Sequence, residues 1–98
     1  RDPALALIGA MTGPPPLRDL LAAALERGDH YQVYRYLADV RLDARTHDRD
    51  LSGDLLAAGE GLAARGLIEP ARYAYRYGLF YYPEDRRLEE ALAKLPAP

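Results

Sequence analysis

The sequence predicts an all-α domain of antiparallel helical hairpins, and three observations carry that prediction. Apolar and small residues recur at helical spacing, with Leu55, Ala58, Gly59 and Leu62 on one stripe and Ala71, Tyr75, Gly78 and Leu79 on another. Glycine and proline punctuate these stripes where helices would end: Gly66 falls between the two and Pro83 follows the second. The arrangement also occurs twice. Gly28 and Gly66 each close an apolar helix, and each is followed by a helix carrying Tyr-Arg-Tyr, at Tyr34 to Tyr36 and at Tyr75 to Tyr77. The tyrosine copies are spaced more widely than the glycines, so the second turn is the longer one.

In order along the chain, residues 1–13 read as a short N-terminal helix. Asp2 is suited to the N-cap, Pro3 to the first turn and Gly13 to a left-handed end. Ala4, Leu5, Leu7, Ile8 and Met11 make it apolar almost all round, so it must dock, either on the first hairpin of its own chain or on another molecule. Pro14, Pro15 and Pro16 form a stiff connector, and the residues before proline are pushed out of helical angles.

A first hairpin is expected over 16–42. Its first helix carries Leu17, Leu20, Leu21, Ala24 and Leu25 inward and ends at Gly28, and its second, capped by Asp29, turns Val33, Tyr34, Leu37 and Val40 inward. The polar run 43–50, DARTHDRD, connects to a second hairpin over 48–82, with Thr46, Asp48 and Asp50 each suited to cap its first helix. Pro70 belongs in the first turn of the helix that follows Gly66. A last helix over 84–95, with Leu88, Ala91, Leu92 and Leu95 apolar, covers the end of the stack, and Pro96, Ala97 and Pro98 are expected to fray. The whole of 1–98 is one domain of about five helices.

Composition narrows the function classes. With 49% hydrophobic and 29% charged residues the chain is of ordinary globular make-up, and its formal charge of −2 gives no electrostatic footprint for nucleic acid. No cysteine is present, so thiolate metal sites and thiol nucleophiles are unavailable, and the compartment is left open. No apolar run approaches the roughly 20 residues of a membrane span. Twelve arginines against one lysine, with abundant Ala, Gly and Pro, read as the codon usage of a GC-rich bacterial genome, and a first residue of Arg1 reads as a piece of a longer protein. Neither a nucleophile motif nor a glycine-rich phosphate loop occurs. His47, Asp48 and Asp50 are the one cluster with metal-ligand residue types, but their spacing imposes no convergence. No catalytic, metal or cofactor site is expected.

The central pattern, L-x2-A-G-x2-L, a glycine turn, then A-x3-Y-x2-G-L-x3-P, resembles the tetratricopeptide repeat, whose signature is W-x2-L-G-x2-Y, later A-x3-F, then Pro. Leu55, Ala58, Leu62 and Gly78 depart from the residues usual in that family, so spacing carries the match. The resemblance implies a short right-handed solenoid whose first helices line a groove for a peptide or protein segment, without catalysis. Transferred to this chain, the groove is lined by Arg18, Ala22 and Leu25 from the first hairpin and by Gly53, Leu56, Glu60 and Ala63 from the second. It lacks the Lys and Asn clamp that some members use for a C-terminal carboxylate.

The eight tyrosines add a second candidate. Tyr73, Tyr77 and Tyr81 recur every four residues on one helical face, while Tyr75, Leu79 and Tyr82 occupy another. Either the first row packs on a neighbouring helix, or part of it, with Arg72 and Arg76, is an exposed aromatic and guanidinium patch for a protein partner. The functional expectation is a protein-interaction adaptor or scaffold module of a larger bacterial protein or assembly; the alternative is a homodimerisation domain with no peptide ligand.

Overall fold

The computed structural model describes residues 15–42 and 50–97. Within them the chain is all helical: α1 Leu17–Arg27, α2 His30–Leu42, α3 Ser52–Ala64, α4 Ile68–Tyr81 and α5 Arg86–Lys94. The expected helix over 1–13 and most of the 43–50 connector, His47 and Asp48 included, lie outside the described residues.

Two turns are built alike. Gly28 and Gly66 have φ of 72° and 80°, the left-handed region that costs a side chain dearly and glycine nothing. Around Gly28 the Gly28 amide donates to the Leu25 carbonyl at 3.0 Å and the Asp29 amide to that of Ala24 at 2.8 Å. Around Gly66 the Gly66 amide donates to Ala63 and the Leu67 amide to Leu62, both at 2.9 Å. Each pair satisfies two otherwise orphaned helix-end carbonyls and turns the chain back on itself. The helices that follow start differently: Asp29 accepts the Gln32 amide at the head of α2, whereas no side chain caps the head of α4 after Leu67. At the head of α5 Asp85 accepts the Leu88 amide.

The α3–α4 hairpin is the centre. α1 and α5 flank it, each packing against both of its helices, while α2 packs against α1. The helices of the hairpin are antiparallel, since the Leu51 amide just before α3 donates to the Tyr82 hydroxyl just after α4 at 2.8 Å. Two glycines allow close approach: a methyl group on Gly59 would overlap the Tyr75 ring, and one on Gly78 would lie 2.6 Å from a Leu88 methyl. Gly59 thus seats the hairpin's own aromatic ring, and Gly78 seats α5. Leu21, Ala24, Leu25, Val33, Leu37, Leu51, Leu55, Ala58, Leu62, Ala71, Ala74, Tyr75 and Leu88 form the buried core. Among the described residues no helix is long and apolar enough to cross a membrane.

Three expectations about packing are corrected. Tyr34 is not part of the inward stripe of α2 but 59% exposed, because Val33 and Leu37 already fill the contact with α1. Arg72 is not part of an exposed patch: it is only 6% exposed, donating to the Glu69 carboxylate at 3.1 Å and to the Pro96 carbonyl at 2.7 Å. That second bond ties down Pro96, expected to fray.

Polar side chains lock the start of α3 to α5. Asp50 accepts both the amide (2.9 Å) and the hydroxyl (2.6 Å) of the buried Ser52, and Arg87 donates to that hydroxyl at 2.9 Å while pairing with Asp85 at 3.1 Å. At the opposite end of α3, Arg65 makes two 2.9 Å bonds to Glu26 of α1. Among the described residues no buried side-chain nitrogen or oxygen lacks a partner.

Candidate functional site

Two surfaces flank the central hairpin, and the candidate residues divide between them. On one side α3 presents Leu56, Glu60 and Ala63 one helical turn apart, and together with Tyr75, Arg87, Glu90, Ala91, Lys94 and Leu95 they line a groove of about 550 Å³ against α5. Glu60 also borders an adjoining depression of about 330 Å³ with Arg18, Ala22, Ala57 and Gly61, between α3 and α1. Arg18, Ala22, Leu56, Glu60 and Ala63 therefore share one face running from α1 to α5. Gly53 is exposed in the first turn of α3 but lines neither depression. Leu25, expected in this groove, is a core residue at 2% exposure, since its side chain holds α1 against the hairpin. The α5 lip of the groove, with Arg87, Glu90 and Lys94, was not among the expected residues.

The groove lining combines alanines with Leu56, Tyr75 and Leu95 and carries charges of both signs. Glu60 and Glu90 stand against Arg87 and Lys94. The Tyr75 phenol is pushed above its ordinary range, chiefly by burial and further by the Glu60 carboxylate. Such a lining offers shape and charges of both signs. It offers no nucleophile next to a base.

On the other side lies an aromatic cleft of about 390 Å³ between α2 and α4, lined by Tyr34, Tyr73, Arg76, Tyr77, Phe80 and Tyr81. The two helices keep their Cα atoms more than 8 Å apart among the described residues, so rings rather than backbone fill the gap. His30, at the head of α2, closes one end: its ring meets Tyr73 edge-on at 4.5 Å and its Nδ1 lies 3.1 Å from the Tyr77 hydroxyl. Burial, with Tyr81 and Tyr73 nearby, raises the Tyr77 phenol above its ordinary range. The row Tyr73, Tyr77, Tyr81 is therefore divided in its environment. Part packs on α2 through His30, and part stays open, with Tyr73 at 41% exposure.

Phe80 was missed. At 78% it is the most exposed large hydrophobic of the described residues, its ring 5.1 Å from that of Tyr81. An apolar residue between two tyrosine positions reads as core, and only its angular distance from Tyr75 and Gly78 on the helix separates it from the buried stripe. Leu56 and the tyrosine row share no lining residue, so they belong to separate surfaces.

Among the described residues no group of three or more His, Asp or Glu is placed to hold a metal ion. Asp50 is engaged instead with Ser52, whose hydroxyl and amide hold its carboxyl below the usual range. Comparison of the chain with family models, with curated proteins and with solved structures gave no match.

Proposed function

We propose that this chain is a protein-protein interaction module, an adaptor or scaffold unit of tetratricopeptide-like hairpins within a larger bacterial protein or assembly, and not an enzyme. One observation carries the reading: Tyr34, Tyr73 and Phe80, all substantially exposed, converge on a single cleft. Contiguous exposed aromatic surface is costly in water, and large rings with few rotatable bonds are the residues that most often anchor interfaces. The α1–α3–α5 face supports the same reading as a second contact, because it is concave and carries Leu56 and Glu60 where a bound segment would lie.

The experiment is affinity capture with the wild type and with the double variant Leu56→Glu/Tyr77→Ala, both checked for native helicity by circular dichroism. Partners retained specifically by the wild type should be lost from the variant. An identical set of partners on a folded variant contradicts the reading. The alternative, a homodimerisation domain, is favoured by the same exposed rings and predicts a mass that doubles with concentration in light scattering.

A further inference from the structure

Resting on the interaction reading, we infer that the α2–α4 cleft takes a protein segment in which a large apolar side chain is accompanied by a carboxylate, with Arg76 as the residue that recognises the charge. Arg76 is exposed and, among the described residues, is the only charged one of the lining; the rest is four tyrosines and a phenylalanine. Arg18, Arg27, Arg65, Arg72 and Arg87 each have a carboxylate within 3.7 Å; Arg76, like the exposed Arg86, has none among the described residues, and of these two only Arg76 borders a cleft. A guanidinium at the mouth of an apolar cleft, with no counter-ion among the described residues, is an incomplete pair, and a carboxylate completes it with two parallel hydrogen bonds. The rings supply the other half. Phe80 and Tyr34 stand on opposite walls, so an aliphatic or aromatic side chain entering between them buries both faces.

Charge decides between occupants. A second copy docking symmetrically through this cleft brings Arg76 against its own counterpart with no acid in the lining to relieve the repulsion. Nucleic acid would find one cation on a chain of formal charge −2. An acidic and apolar segment meets both features at once.

The test is selection from a displayed library of random twelve-residue peptides on the full chain, in parallel with Arg76→Glu, Arg76→Lys, Arg86→Glu and Leu56→Glu, followed by fluorescence anisotropy of the selected peptides. Wild-type selection should enrich Asp or Glu within a helical turn of a large apolar residue. Arg76→Glu should weaken those peptides about tenfold or more and shift its own selection to Lys and Arg. Arg76→Lys should retain part of the affinity, and Arg86→Glu, a charge reversal at an exposed position outside the cleft, should leave it unchanged. Because Arg76 is exposed, its variants should melt as the wild type does. Peptides that lack acids, ignore Arg76→Glu and are lost with Leu56→Glu overturn this inference but leave the interaction reading in place. An empty selection on a monomer assigns the cleft to the chain's own residues 1–14, an empty selection with an Arg76-dependent dimer assigns it to a second copy, and binding of single-stranded nucleic acid assigns it there; each overturns the proposal.

Discussion

Gly59 and Gly61 are near neighbours on α3, yet a single methyl group has opposite consequences at the two. At Gly59 it would meet the buried Tyr75 ring, which is hemmed in by the hairpin and cannot yield freely; at Gly61 it would meet nothing within 4 Å. Alanine gains about 1 kcal/mol of helix propensity over glycine at either position, but overpacking a filled crossing costs about 1–3 kcal/mol. Gly59→Ala should therefore lower stability in urea denaturation, while Gly61→Ala should raise it by about 0.5–1 kcal/mol. A Gly59→Ala protein at least as stable as the wild type would place the close crossing elsewhere. That Gly59 and Tyr75 both face inward was readable in sequence, because each falls on an apolar stripe at helical spacing. The burial of Arg72 was not. It depends on a carbonyl supplied by Pro96, far along the chain, and no periodicity of α4 records that partner.

Whole elements were the most legible feature, and the reason is chemical. Gly28, Gly66 and Asp85 each do at a helix end what few other residues can do, so the boundaries of α1, α3 and α5 are written in single positions. The docking of one element on another is written less plainly. Nothing near Arg87 announces that it reaches Ser52 at the head of α3 while paired to Asp85. This clasp is sensitive to acid. The Asp85 carboxyl is held below its ordinary range chiefly by the Arg87 hydrogen bond, and that of Asp50 by the Ser52 hydroxyl and amide. Since both groups titrate lower folded than unfolded, their stabilisation is present above the unfolded value of about 4 and is lost as pH falls through the folded values. The melting temperature should thus decline below about pH 4, and Arg87→Met should flatten that decline because Asp85 then titrates nearer its unfolded value. Identical acid limbs in the two proteins would show that the clasp contributes nothing.

For the molecule as a whole, the same helices serve two ends. α4 gives Ala71, Ala74, Tyr75 and Gly78 to the core and leaves Tyr73, Arg76, Phe80 and part of Tyr77 outside it, while α2 gives Val33 and Leu37 to the core and leaves Tyr31 and Tyr34 outside. The surplus of aromatic residues on α4 could be read from the sequence, since one hairpin cannot enclose rings around most of a helix. Which ring stays outside could not, because that depends on α2 being joined to α4 through His30 rather than along its length. On the proposed reading these outer rings are not needed for folding and are left to meet a partner. Urea denaturation of the double variant Tyr34→Ser/Phe80→Ser beside Leu62→Ala tests that claim most directly. The outer pair should change stability by no more than about 0.5 kcal/mol per site, as exposed substitutions do, while Leu62→Ala, opening a cavity in the core, should cost about 2–5 kcal/mol. A loss in the double variant as large as that of Leu62→Ala would place both rings in the core and contradict the account.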